Sequence, residues 1–255
     1  MRKFLLLLLC VVLAVGLMGC SQGGDINVAM ETEEESAATS PEESITFLGD
    51  ELNRENFTQA LLDFNYDECL SILDDYIDSA DGNDEEEKQA VALLNSAKKA
   101  LEELDIAEDS FNGYVWLEAP FMYGIDQFSP RYGESYGIAA RCYVSSTDWI
   151  FVNQIQIKVG DDEFLSYTFS LDEVTRDVVT GNGVRCMEIA TIVFSDDGTG
   201  HLPEVEKILN SDNPIIRFTG DFSIDYEIND AELTTLNNLY EIYKVHYQLK
   251  KYLGI

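Results

Sequence analysis

The sequence predicts an α+β protein: an N-terminal helical hairpin followed by a mostly antiparallel β-sheet domain with a C-terminal helix. Three observations predict it. Apolar residues recur at helical spacing through 66–77 and again through 90–104. Beyond residue 110 the helix formers give way to Val, Ile, Tyr, Phe and Thr in short runs bounded by turn residues. From Ala231 to about Tyr252 a broad helical stripe returns. On this reading the 255 residues divide at 1–19, 20–43, 44–110 and 111–255.

Residues 1–19 read as a removable leader. Arg2 and Lys3 form a basic start, and Leu5 to Leu17 is an unbroken apolar run, short for a bilayer span. It ends at Leu17-Met18-Gly19-Cys20, and the next residues, Ser21-Gln22-Gly23-Gly24, are small and polar. Leu17-Met18-Gly19-Cys20 resembles the lipobox of bacterial lipoproteins, a leucine three positions before a cysteine with small residues between. The resemblance implies a lipid signal peptide over 1–19, a diacylglyceryl group on the Cys20 sulfur, and an extracytoplasmic protein anchored to the bacterial cell membrane through that lipid. Two acyl chains hold a protein stably where one holds it marginally.

Residues 20–43 read as a disordered acidic tether. Seven acids and no base lie in the stretch, with Glu33-Glu34-Glu35 as a run, and it carries too little apolar surface to offset the entropy of ordering. Like charges extend such a chain and hold the folded part of the protein away from the membrane.

Residues 44–110 read as helices. Tyr66, Cys69, Leu70, Leu73, Tyr76 and Ile77 form one stripe; Ala90, Leu93, Leu94, Ala97, Leu101 and Leu104 form the next. Asp84 and Glu87 have capping-box spacing at the start of the second. The stripes are expected to face each other as an antiparallel pair. The run Ala60-Leu61, Tyr66, Cys69-Leu70, Leu73 resembles the start of a tetratricopeptide unit. About three stacked copies are needed to bury a continuous core, and one is found, so a plain helical hairpin packed on the next domain is the expectation.

Residues 111–255 read as the α+β domain. Strands are predicted over 137–145, 149–159, 164–169, 184–194, 214–219 and 222–228, with turns at Gly160-Asp161-Asp162 and Asp196-Asp197-Gly198. A three-residue loop, Gly220-Asp221-Phe222, pairs Phe218 with Ile224, Ile216 with Tyr226 and Arg217 with Asp225, which keeps one face apolar. Arg217 is then a cross-strand ion partner. A short helix is expected over Pro203–Asn210. The last helix opens at Asn229 and Glu232, again a capping-box spacing. The strand with Trp149-Ile150-Phe151 and Ile155-Gln156-Ile157-Lys158-Val159, and the later Ile215-Ile216-Arg217-Phe218-Thr219-Gly220 feeding a terminal helix, resemble uncharacterised lipoproteins of Gram-positive gut bacteria. That resemblance implies a fold and carries no site.

Charge excludes one class of partner. The chain has 16 Lys+Arg against 48 Asp+Glu, a net of −32. A nucleic-acid binder needs basic surface to neutralise phosphates, so no nucleic acid is expected. Cys69, Cys142 and Cys186 remain after the leader and the lipid site are set aside, with no CxxC spacing, which is neither a disulfide framework nor a zinc site. Cys142 and Cys186 lie in strand-like runs and could pair if those strands are neighbours; buried free thiols are the expectation.

No catalytic motif, cofactor motif or metal site is found. His201, in a Gly-His-Leu-Pro loop, reads as a surface residue, and His246, at the edge of the last stripe, as a packing residue. Asp78 to Asp84 and Asp161 to Glu163 are oxygen-rich but miss the calcium-loop spacing. The densest aromatic stretch is 114–136. Within it Trp116, Phe121, Tyr123, Phe128 and Tyr132 are the candidate contacts to a ligand or partner, and the expectation is that they cover the open side of a small sheet. The leading expectation is a non-enzymatic binding or interaction module of the cell envelope, with an envelope protein or glycan as partner. The runner-up captures a solute or glycan in a concave site lined by those aromatics. A third reading, a carboxylate-dependent hydrolase, requires two facing carboxyls in a cleft.

Overall fold

A computed structural model describes residues 54–79, 85–109, 114–119, 127–133, 137–181 and 183–253. The chain divides into two units, Met1–Glu43 and Ser44–Ile255, and all described residues belong to the second. The lipobox, the tether, Asp84 and the aromatics Phe121 and Tyr123 lie outside the described residues.

The fold is α+β. In chain order it runs α1 (Arg54–Leu62), α2 (Tyr66–Ser79), α3 (Glu85–Leu101), β1 (Asp105–Asp109), β2 (Tyr114–Glu118), β3 (Phe128–Gly133), β4 (Gly137–Ser146), β5 (Gln154–Lys158), β6 (Phe164–Thr168), β7 (Thr175–Gly181), β8 (Gly183–Val193), α4 (Pro203–Leu209), β9 (Ile215–Thr219), β10 (Ser223–Glu227) and α5 (Asp230–Leu253). The strands form a six-stranded antiparallel sheet, β1-β2-β3-β4-β8-β7, and a four-stranded antiparallel sheet, β10-β9-β5-β6.

Helix α5 organises the interior. It packs against α3, α4 and strands β2, β3 and β4. Its broad stripe buries Leu236, Leu239, Tyr240, Ile242, Tyr243, Val245 and Leu249. The expected capping box forms reciprocally: the Glu232 N–H donates to Asn229 Oδ1 at 3.0 Å, and the Asn229 N–H donates to Glu232 Oε2 at 2.9 Å. The carboxylate does more than cap. Its Oε1 accepts the N–H groups of Gln127 and Phe128, and its Oε2 the Tyr226 hydroxyl, so it joins the start of β3 and the end of β10 to α5. Burial raises its pKa above the ordinary carboxylate value.

Strand β1 begins at Asp105, and the buried residues of α1–α3, both sheets and α5 form a single hydrophobic core. Tyr66 on α2 and His246 on α5 meet in that core, hydroxyl to Nε2 at 2.8 Å. Phe64 ends the α1 turn with φ of 55°, an uncommon conformation for a bulky side chain. Its ring lies 5.3 Å from the His246 ring and 5.8 Å from that of Tyr132, contacts that offset the backbone cost.

The hairpin register is the expected one. Phe218 pairs with Ile224, Ile216 with Tyr226 and Arg217 with Asp225, whose guanidinium and carboxylate make two 2.7 Å hydrogen bonds. The Arg217 guanidinium holds the exposed Asp225 below its ordinary pKa. Two expectations are corrected. The single strand expected over 149–159 is a loop to Asn153 followed by β5. The aromatic stretch 114–136, for which no strand is predicted, contains β2 and β3. Pro130 and Gly133 disguise β3, yet β2 pairs with it only at Tyr132 and Arg131, so Pro130 lies past that ladder and no donor is demanded of it there.

Cys142 and Cys186 do sit on neighbouring strands. Cys142 faces Ala190 and Cys186 faces Ser146, four positions apart along the ladder, so the sulfurs cannot meet, and both are free. Burial pushes the Cys69 thiol up to about 12 and the Cys142 thiol higher still.

Candidate interaction surface

The described aromatics Trp116, Phe128 and Tyr132 divide between the two faces of the six-stranded sheet. Phe128 and Tyr132 are core residues, 0% and 2% exposed, and present no surface to a partner. Tyr132 meets Phe64, Tyr243 and His246 edge-on. Trp116 is half-buried on the other face. The Arg131 guanidinium lies 4.1 Å from its ring centroid, and a Cβ on Gly133 would stand 2.8 Å from the same ring. The absence of a side chain at Gly133 is what lets Trp116 lie down on β3. Of the five candidates, Trp116 packs on β3, and Phe128 and Tyr132 lie in the core.

Exposed aromatic side chains lie elsewhere, among them Phe164 at the start of β6 and Phe151 on the loop joining the two sheets. That loop, 147–153, runs from β4 to β5, and three consecutive peptide N–H groups in it converge on one carboxylate. Glu188 Oε1 accepts from Ile150 at 2.7 Å and Phe151 at 2.9 Å, and Oε2 accepts from Val152 at 2.9 Å. Successive backbone N–H groups curled around an anion form a nest, and here the anion belongs to the chain itself. Forming it requires Phe151 to take φ of 55°, which costs an L-residue with a Cβ on the order of 1–2 kcal/mol.

Glu188 sits where strand periodicity would put a hydrophobe. It faces Val144 on β4 and Arg176 on β7, in phase with Ala190 and Ile192, and is 2% exposed. Arg176 neutralises it, Nε to Oε2 at 3.2 Å. The same guanidinium donates to the carbonyls of Leu171 at 2.7 Å, Val174 at 3.3 Å and Val152 at 3.4 Å, and lies 5.7 Å from the Phe151 ring centroid. A buried charge is tolerated when it is paired and its remaining valences are filled; all of these partners belong to the loop, the 170–174 turn or β8.

The β9–β10 turn closes the loop from the other side. The Asp221 N–H donates to the Ile150 carbonyl at 2.7 Å, and the Asn153 N–H to the Thr219 carbonyl at 3.0 Å. A Cβ at Gly220 would lie 2.1 Å from the Ile150 oxygen and 2.6 Å from the Phe151 oxygen, so only glycine fits.

Three loops are thereby knit together, each presenting an apolar side chain to solvent. Phe151 is 44% exposed, Leu171 67% and Phe222 42%. The half-buried Trp149 ring lies 6.5 Å from that of Phe151. Exposed carboxylates stand beside each of them in sequence: Asp148, Asp172 and Glu173, and Asp221. Hydrogen bonds from Ser170 hold Asp172 and Glu173 below the ordinary carboxylate range, so both are ionised at neutral pH.

Chemistry of other kinds finds less support. Among the described residues no group of three or more His, Cys, Asp or Glu is placed to hold a metal ion. His201 is exposed and pairs with Glu206 at 3.2 Å; His246 is buried. Glu232, with its raised pKa, already takes four donors and faces no second carboxylate among its partners. A groove of about 330 Å³ between Val159, Glu163, Pro203, Glu206, Lys207 and Asn210 carries no aromatic side chain, and Glu163 and Lys207 pair across it at 2.8 Å. No helix of the described residues is long and apolar enough to cross a membrane. No family model, curated protein or solved structure matches the chain.

Proposed function

We propose that this chain is a lipid-anchored, extracytoplasmic interaction module of a bacterial cell envelope, held through Cys20 and engaging its partner by the Trp149–Phe151 loop. One observation carries the second half. Phe151 is strained in its backbone and exposed in its side chain, while everything beneath it is over-determined. Strain persists where surrounding structure enforces it, and it gathers at functional positions. An exposed aromatic on a rigid base contributes contact area without an ordering penalty at the moment of binding. The lipobox resemblance of Leu17-Met18-Gly19-Cys20 supports the anchor.

Two measurements test the two halves. In cells expressing the full chain, Cys20→Ser is expected to move the protein from the membrane fraction to the medium or periplasm; continued membrane association would remove the anchor from the reading. A photo-reactive residue substituted at Phe151 is expected to cross-link one discrete envelope component in those cells, while the same group at Val193, exposed on another strand, yields none. Identical products from both positions would remove the surface.

A further inference from the structure

The chemistry around the Trp149–Phe151 loop points to a particular kind of partner. Resting on the proposed interaction surface, we infer that it receives a cationic, apolar segment of another protein, a stretch in which Lys or Arg alternates with large aliphatic or aromatic residues.

The argument is one of complementarity. The exposed apolar side chains Phe151, Leu171 and Phe222 supply a hydrophobic centre, and such centres fill with large side chains from the partner. Their sequence neighbours Asp148, Asp172, Glu173 and Asp221 are exposed acids. The three loops, 147–153, 169–174 and 219–223, contain no Lys or Arg. Of the cations beside these loops in sequence, Arg176 is spent on Glu188 and three carbonyls, and Arg217 pairs with Asp225. These loops therefore carry four exposed acids and no base, on a chain already at −32. A rim of one sign repels like-charged ligands and speeds encounter with opposite ones. Anionic lipid headgroups and acidic polymers are disfavoured by that rim. A neutral glycan would use the aromatic rings and leave the carboxylates idle.

The test uses the full chain and fluorescein-labelled dodecapeptides read by anisotropy at low and moderate salt. One peptide alternates Lys and Leu; a second alternates Lys and Ser, with the same charge and no apolar face; a third alternates Glu and Leu. The Lys/Leu peptide is expected to bind at least about tenfold more tightly than the Lys/Ser peptide, with affinity falling as salt rises. Phe151→Ser and, separately, Trp149→Ala are expected to weaken it about tenfold, and Val193→Ser to leave it unchanged, with thermal melts confirming that each variant is folded. Joint replacement of Asp148, Asp172 and Asp221 by Asn is expected to weaken binding and flatten its salt dependence. Equal binding of Lys/Leu and Lys/Ser peptides would reduce the effect to net charge and overturn the inference. If Lys/Leu and Glu/Leu peptides bind alike and both depend on Phe151, the surface stands and the basic partner falls. If instead a tetramer of N-acetylglucosamine binds with dependence on Phe151, the partner is a glycan and the inference is overturned. If no probe responds to Phe151→Ser, the surface itself is lost along with the inference.

Discussion

Glu188 and Phe151 form one device: the peptide N–H of Phe151 donates to the Glu188 carboxylate at 2.9 Å, the acid 2% exposed and the aromatic residue 44% exposed. A buried charge on β8 thus sets the backbone angle at which a ring on another loop meets solvent. The arrangement has a cost on both sides, a desolvated carboxylate and a left-handed phenylalanine, and each is offset by the other's hydrogen bonds.

Removing the carboxylate leaves three loop N–H groups and the Arg176 guanidinium without their acceptor. Glu188→Ala is expected to destabilise by about 3–5 kcal/mol, the usual consequence of orphaning a buried ion. Glu188→Gln should cost about 1–3 kcal/mol, because its amide NH₂ faces donors. Urea unfolding would measure both; a loss under about 1 kcal/mol for the alanine variant would show that the loop stands without its anchor.

Strain and clearance at this loop can be separated by two glycine positions. Phe151→Gly relieves a left-handed backbone worth about 1–2 kcal/mol but loosens the unfolded chain, so stability is expected within about 1 kcal/mol of the parent. Gly220→Ala drives a Cβ to 2.1 Å from the Ile150 oxygen, and is expected in the severe tail, above about 4 kcal/mol. Comparable midpoints for the two variants would contradict the clamp described between the loop and the β9–β10 turn.

Glu232 makes stability depend on pH in a direction opposite to an exposed ion-paired acid. Burial raises its pKa in the folded state, so the native protein holds this proton more tightly than the unfolded chain. Its contribution is greatest below the ordinary glutamate value of 4.5, falls as pH rises through the raised value, and is flat above it. Glu232→Gln is expected to lower stability at pH 7 by about 1–3 kcal/mol, since the amide must face the Asn229 N–H or the β3 donors, and to remove that fall above pH 4.5. Parallel pH profiles for parent and variant would assign the slope to other groups.

Thiol labelling reads the core directly. With Cys69 at about 12 and Cys142 higher, both buried, neither supplies thiolate at pH 8. A short pulse of a thiol-reactive maleimide followed by peptide mapping should mark the half-buried Cys186 and spare Cys69 and Cys142 until denaturant is added. A Cys142–Cys186 disulfide peptide in the same map would refute the register of β4 against β8.

Local patterns carried much of the architecture. Helical stripes marked α2, α3 and α5, because burial on one face writes its period into the chain, and runs of β-branched and aromatic residues between turn signals marked β4, β6, β8, β9 and β10. The 216–226 register followed from keeping one face apolar, and the Asn229–Glu232 cap from spacing alone. What the sequence did not reveal is the loop anchored on Glu188. Trp116, Phe128 and Tyr132 were conspicuous by composition, yet whether an aromatic is inside or outside depends on which faces the strands turn to α5. Glu188 could have been noticed as a charge in phase with Ala190 and Ile192, but Met187, Ile189 and Val193 make both faces of β8 apolar in sequence and hide the phase. The convergence of Ile150, Phe151 and Val152 on Glu188, 36 to 38 residues away, is a matter of strand order. Periodicity is a property of neighbours along the chain; a buried carboxylate meeting a distant loop exists only once β4, β8 and β7 lie side by side.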